Sequence, residues 1–535
     1  MIDHLVGSNV PEELINEYNS LNDQDQVERF SSSLEFGTAG IRGLIGVGSN
    51  RMNILTVRKV TIGLAHYLID KFEDNISIAI AFDSRHYSRE FTEEVIKVLS
   101  TFNIKTYTFE DPTPTPLLSF AIREFNCNAG IVITASHNPK DYNGYKVYNN
   151  TGAQVSTTEA NDILSFFNKV ENEQNFEYTN DLLVEYISRD IYDTYLKRIE
   201  SISILDKEKK DIKVVFSPAH GTSNIIGPKA LDYFGVKNII TVDEQMTPDG
   251  NFTNIETSNP EDEKAFTLAI KYLEKNNADL ILINDPDADR LGVAIRNRDN
   301  EIIFLDANSI ASLLIEYFIV CNKIKDNSIV YSSIVSGQML VDILKANNVL
   351  SKQSLVGFKY IGENIENNKD KDLLFGFEES CGYLFNPSVR DKDGIQALVV
   401  ITQLTNYYLN KDMYLDEVLL KMNEKYGYYN DSTLSFVFSN QAEAKEKMIA
   451  IRSFDQDNLS GYKIKSKVDF LDGVDDLPKD NLVRFNFEEI GKLTFRPSGT
   501  EPKLKVYVAI NSNTKEKTEQ IFTNLISEIN NLFIK

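Results

Sequence analysis

Cysteine is scarce: Cys127, Cys321 and Cys381 are the only three among 535 residues, widely separated and odd in number. That excludes a disulfide framework and a cysteine-based metal spacing, and it fits a reducing compartment. No apolar run reaches 18 residues, so no membrane-spanning helix is expected. The stretch MIDHLVGSNVPEELINEY has early acidic residues and no apolar segment, and it does not read as a signal peptide. These absences together predict a cytoplasmic protein. Positive charge is also in deficit, with 56 Lys and Arg against 79 Asp and Glu for a net charge of −23. A nucleic-acid or anionic-membrane partner is therefore disfavoured. An anionic substrate would need local clusters of Arg and Lys, which makes any such cluster informative.

What is present is an ordinary globular composition, 42% hydrophobic and 25% charged. The length exceeds one core, and at roughly 150 residues per domain it suggests three or four. The runs ISIAIAF (76–82), AGIVIT (129–134), IKVVFS (212–217), DLILIN (279–284) and SIVYSS (328–333) are short and β-branched. They read as strands of a largely parallel sheet, buried on both faces. Between them lie helical patterns such as EDEKAFTLAIKYLEKNNAD, in which Phe266, Ile270 and Leu273 share one face. This alternation predicts α/β domains. The tail from about Tyr426 reads as strands followed by a helix over 513–533. SISILDKEKKD (201–211) reads as a charged break.

Several strands end in polar loops: TASHNP (134–139), SPAHGTS (217–223), NDPDADR (284–290) and SSIVSGQ (332–338). In open α/β sheets ligands bind at the carboxyl ends of strands, so such loops could share one cleft. Taken alone, TASHNP fits a polar turn as well as a site. NDPDADR is stronger. Its alternating Asp285, Asp287 and Asp289, in an extended loop, would point three carboxylates one way and call for a hard divalent cation. An EF-hand is excluded, since Arg290 and Arg296 stand where Gly and Glu belong. A solvated acidic turn is the alternative.

RPSGTEP (496–502) lies between two strand-like runs. Gly499 would let successive N–H groups face one concavity, with Arg496, Ser498 and Thr500 adding donors for an anion. A tight hairpin explains the same residues. FGTAGIRG (36–43) reads as a glycine-rich loop ending in Arg42. In GFEESCGY (376–383), alternating Glu378 and Ser380 would suit sugar hydroxyls, although a half-exposed strand end looks similar. Nearby segments add Gly357, Lys359, Arg390 and Lys392.

In this order, GTAGIRG, TASHNPKDYNGYKVY, NDPDADRLG, GFEESCGY and RPSGTEPKLKVY resemble the motif set of the α-D-phosphohexomutases, the phosphoglucomutase/phosphomannomutase superfamily. The resemblance runs from about Glu35 onward. It implies four domains around a central cleft: three α/β domains with mixed, largely parallel sheets and a smaller α+β domain. The implied boundaries are 1–190, 191–303, 304–420 and 421–535. It further implies that Ser136 is a phosphorylated nucleophile. Asp285, Asp287 and Asp289 would hold one Mg²⁺ together with the Ser136 phosphate. Arg42, His137, Lys146 and Arg290 would surround the transferring group, with Lys392 as acid/base. Gly357, Lys359, Glu378 and Ser380 would contact the sugar. Arg496, Ser498, Gly499 and Thr500 would hold a distal phosphate.

The expected activity is interconversion of glucose 1-phosphate and glucose 6-phosphate, primed by a bisphosphorylated sugar. Mannose or pentose phosphates are alternatives, because Val356 stands where the family usually has Thr. An aspartyl-phosphate phosphatase and a non-catalytic sugar-phosphate sensor are more distant readings.

Overall fold

In this computed structural model the described residues are Leu5, 7–34, 37, 40–204, 212–498 and 502–534. The described chain forms two compact units. One comprises 1–305, 358–376 and 380–407, and the other 306–357, 377–379 and 408–535.

In the first unit, the run Ala129–Ile133 has every side chain buried, as expected of a strand covered on both faces. It lies at the centre of a six-stranded mixed sheet. Ser77–Phe82 pairs with it in parallel and continues to Lys105–Phe109 and Val184–Ile187. On its other edge Tyr142–Asn149 runs antiparallel, followed by Gly40–Leu44. Residues 40–44, expected in a glycine-rich loop, are therefore strand. They need no turn there because Gly40 lets Tyr145 O approach to 1.9 Å of the point where a Cβ would stand. Helix Ile54–Lys71 covers the sheet, its Val57, Val60 and Leu64 packed with Ile78, Ile80 and Ile131. Each such aliphatic side chain contributes about 1.5–3 kcal/mol on leaving water.

A second sheet in this unit repeats the plan. Lys213–Ser217 pairs in parallel with Leu280–Asn284 and Asn238–Thr241, and Leu291–Arg296 and Ile302–Leu305 extend it antiparallel. The helical pattern after Glu261 becomes a 3₁₀ turn, Glu263–Phe266, leading into helix Thr267–Asn276.

In the second unit, Ser328–Ser333 and Leu350–Ser354 pair in parallel. The tail builds an antiparallel sheet in the order 428–437, 503–512, 491–497, 483–487, 462–469, 458–459. Helix Lys515–Ile529 packs on it through Ile521, Leu525 and Ile529. A further helix, Gln441–Ser453, lies inside the tail where only strands were expected. Its buried face is just Ala444, Met448 and Ile451, too sparse among charged residues to show as a stripe.

Candidate active site

The strand Ala129–Ile133 delivers TASHNP to its carboxyl end. Thr134 Oγ1 accepts from Ser136 N at 2.7 Å, and Ser136 takes a left-handed φ of 53°. Its hydroxyl is thereby turned towards the second sheet and donates to Asp285 Oδ2 at 2.7 Å, across 149 residues of chain. The ring nitrogen His137 Nδ1 lies 3.3 Å from the same hydroxyl.

Asp285, Asp287 and Asp289 follow the strand Leu280–Asn284 and are all buried. One carboxylate oxygen from each lies within 4.8 Å of the others. Their convergence does not come from an extended loop. The segment turns, with Ala288 at φ 56° and its N–H on Asp285 O. Lys146 Nζ stands 3.1 Å from Asp287 Oδ2, and Thr115 Oγ1 donates to that oxygen at 3.1 Å. Lys392 Nζ stands 3.1 Å from Asp289 Oδ2, in space opened by Gly382, where a Cβ would lie 2.3 Å from Lys392 Cδ.

Burial, reinforced by Asp287 and Asp289, pushes the Asp285 carboxyl well above its ordinary range. Burial acts most strongly on Asp287 as well, but Lys146, the hydrogen bond with Asp285 and Lys392 together outweigh it and hold Asp287 below that range. Burial, with Arg290 and Arg42 adding repulsion, pushes His137 well down, so its ring is neutral. Among the described residues, nothing donates a hydrogen bond to the buried oxygens Asp287 Oδ1 and Asp289 Oδ1. Three buried carboxylates, two of them with an orphaned oxygen, form the hard, all-oxygen donor set that suits a small divalent cation.

Arg42, on Gly40–Leu44, donates from Nη1 to Asn138 Oδ1 at 2.8 Å. Arg290 pairs with Glu261 at 2.6 Å, while its backbone N–H caps Asp285 Oδ1 at 3.0 Å. The ammonium of Lys359, in the same unit, donates to Thr157 Oγ1 at 3.0 Å. In the other unit, the Glu378 carboxylate accepts from Gly357 N at 2.6 Å. The strand Asp372–Glu378 stops at Glu378 and the chain turns over 379–381, so the alternation expected through Ser380 ends there. Arg496 sits on Gly491–Pro497, hairpin-paired to Lys503–Ser512, with Ser498 N on Lys503 O at 2.8 Å. Gly499 and Thr500 lie outside the described residues.

Sequence reasoning missed Arg85, Thr115, Glu261 and Asp391, all of which line or brace this site. Asp391 accepts from Tyr148 Oη at 2.7 Å and Gln154 Nε2 at 2.8 Å, and lies 3.3 Å from Lys392 Nζ. Arg85 alone carried a readable signal, a polar turn straight after the apolar run 76–82.

Phosphoglucomutase/phosphomannomutase alpha/beta/alpha domains I, II and III match residues 33–174, 193–298 and 306–426. The chain belongs to the phosphoglucomutase/phosphomannomutase family. A phosphoglucomutase of Staphylococcus haemolyticus is 36% identical over 529 residues, spanning 95% of this chain and 96% of that protein. The fold is shared with a solved putative phosphomannomutase from Thermus thermophilus, at TM-score 0.73 and 20% identity over 94% of this chain and all of that one. It is also shared with N-acetylphosphoglucosamine mutase of Aspergillus fumigatus, solved with GlcNAc-6P and magnesium. That match has a TM-score of 0.52 and 13% identity over 97% of this chain and 99% of that one. As in those family members, three α/β domains precede a further sheet-containing domain. This family membership makes the chain a phosphotransferase-type isomerase.

Proposed function

We propose that this phosphohexomutase interconverts glucose 1-phosphate and glucose 6-phosphate, with Ser136 as the phosphoryl carrier. One observation carries the reading: the Ser136 hydroxyl lies 2.7 Å from a buried carboxylate of the 285–289 triad. The Staphylococcus relative named phosphoglucomutase supports glucose over other sugars.

The residues act as follows. Asp285, Asp287 and Asp289 would hold one Mg²⁺, with the Ser136 phosphate completing the set. The ion supplies charge neutralisation as negative charge spreads over the phosphoryl oxygens. Arg42, Lys146 and Arg290 add fixed positive charge beside Ser136, and neutral His137 lies beside its hydroxyl. The sugar docks with its existing phosphate on Arg496, Ser498, Gly499 and Thr500, while Gly357, Lys359, Glu378 and Ser380 recognise its hydroxyls. The bond from Ser136 Oγ to phosphorus breaks as a sugar hydroxyl oxygen bonds to phosphorus. The departing Ser136 Oγ takes up the proton that the hydroxyl loses, with Lys392 as the acid/base that relays it, its ammonium giving one proton to Ser136 Oγ and taking the hydroxyl proton in its place. The bisphosphorylated sugar then turns around and returns its other phosphate to Ser136. The same bisphosphate primes unphosphorylated enzyme. Domain boundaries near 190, 303 and 420 fit this division of tasks.

The test compares kcat/KM for glucose 1-, mannose 1- and ribose 1-phosphate, with Mg²⁺ and the matching bisphosphate. Glucose 1-phosphate should give the highest value. A higher value for mannose or ribose would overturn the sugar assignment, and no turnover of any of them would overturn the function.

A further inference from the structure

Ser136 occupies a backbone region that a residue with a Cβ rarely adopts, and such a conformation persists only where its surroundings hold it. Residues 136–141 are neither helix nor strand, and their carbonyls need donors from elsewhere. Ser258 Oγ donates to His137 O at 3.2 Å and Ile45 N to Asp141 O at 2.8 Å, but the carbonyls of Ser136 and Asn138 are gathered by a single side chain. Arg85 Nη2 donates to Ser136 O at 2.6 Å and to Asn138 O. Arg85 Nη1 donates to Pro139 O at 2.7 Å and Tyr142 O at 3.1 Å. The guanidinium side chain is fully buried.

Its own position is fixed from two sides. Asp83 Oδ2 lies 3.2 Å from Arg85 Nε, while Asp83 Oδ1 is held by Arg85 N at 2.9 Å and Ser88 Oγ at 2.7 Å. On the other side, the ring of Phe252 covers the guanidinium at 5.0 Å. The segment carrying Phe252 is pressed against the 83–88 turn. Asn251 Oδ1 lies 3.0 Å from His86 Nε2, and a Cβ on Gly250 would stand 2.8 Å from His86 N.

A buried charge of this kind is costly, and apolar packing of equal volume would serve stability at least as well. Its distinctive property is geometry, because a rigid planar fork can gather carbonyls from four residues into one fixed arrangement. We infer that Arg85 is a positioning residue for phosphoryl transfer, holding the 136–142 segment so that Ser136 Oγ faces Asp285, with Phe252 locking the guanidinium in place. The inference rests on the reading of Ser136 as phosphoryl carrier.

Arg85→Lys keeps the charge but replaces the fork with a point donor. Three quantities are read on the variant and the unaltered protein: melting temperature, steady-state kcat and KM for glucose 1-phosphate, and the rate at which glucose 1,6-bisphosphate phosphorylates Ser136, followed by intact mass. A misplaced nucleophile should lower kcat and the phosphorylation rate together by about 10²-fold while KM stays within about threefold. A folded variant with unchanged kcat, or one whose only change is a lower melting temperature, overturns the inference. If Arg85→Lys does not fold, Phe252→Leu decides, since it keeps apolar bulk but removes the aromatic face. It should lower kcat about threefold at constant KM, and unchanged kcat overturns the inference. Failure of the unaltered protein to accept phosphate on Ser136 would overturn the functional reading itself. Normal turnover in Arg85→Lys would overturn only the role of Arg85.

Discussion

At the residue scale, the site is a balance of buried charges. Asp285, Asp287 and Asp289 repel one another, and Lys146 and Lys392 offset only part of that repulsion. A divalent cation should therefore stabilise the protein as well as serve the reaction. Replacing Asp287 with Asn removes the charged partner of Lys146 and one of the three carboxylates proposed to hold the ion. We expect activity to fall about 10²–10³-fold and the rise in melting temperature on adding Mg²⁺ to shrink. A thermal melt with and without Mg²⁺ checks this, and an undiminished Mg²⁺ shift would remove Asp287 from the ion's ligands. The three Asp stood out in the sequence because they alternate straight after a buried strand, whereas Ser136 was legible only through the resemblance of TASHNP and its companion motifs to a known family. Glu261 and Asp391 did not stand out, and Arg85 showed only as part of a polar turn after an apolar run. Their roles depend on partners elsewhere in the chain, such as Arg85 with Ser136 and Asp391 with Tyr148, and one sequence gives no sign of such pairings.

At the element scale, strand-end loops do different jobs despite similar letters. SPAHGTS braces the 285–289 turn: Thr222 N donates to Pro286 O at 2.9 Å, and a Cβ on Gly221 would lie 2.4 Å from Pro286 Cα. Gly221→Ala should push the 285–289 turn aside, costing about 1–3 kcal/mol of stability and weakening Mg²⁺ binding. Denaturant melts and Mg²⁺ titration would measure both, and an unchanged Mg²⁺ affinity would contradict the bracing.

SSIVSGQ ends at the start of helix Gln338–Ala346 and resembles an anion cradle in sequence. The cradle is filled by this chain's own carboxylate, since Asp431 accepts from Gln338 N at 2.9 Å and Met339 N at 3.1 Å. Gly337 is needed there, because a Cβ would stand 2.6 Å from Asp431 Oδ2. Burial pushes Asp431 up to about 6 against its ordinary 3.8, with Asp306 adding to the rise and the two N–H donors and Lys492 opposing it. The folded chain thus keeps a proton that the unfolded chain releases. This group's contribution to stability falls as pH rises from about 4 through about 6. The melting temperature of the unaltered protein minus that of Asp431→Asn should therefore decrease across that window. A pH-independent difference would contradict the assignment.

At the scale of the whole molecule, alternation of apolar runs and helical stripes made the α/β units legible. Runs such as 129–133 and 280–284 are uniformly apolar, and that is the mark of strands buried on both faces. The antiparallel strands Gly40–Leu44 and Tyr142–Asn149 were harder to see because Gly, Asn and Lys interrupt their pattern. Helix Gln441–Ser453 was hidden because its core-facing stripe is only three residues long.

One serine, 149 positions from its carboxylate partner, is proposed to carry the phosphoryl group. The most direct measurement incubates the protein with glucose 1,6-bisphosphate and Mg²⁺ and maps the added phosphate by peptide mass spectrometry. A single phosphoryl group on Ser136, absent from Ser136→Ala together with turnover, is the predicted result. Phosphate on Asp285, or full turnover by Ser136→Ala, would contradict it.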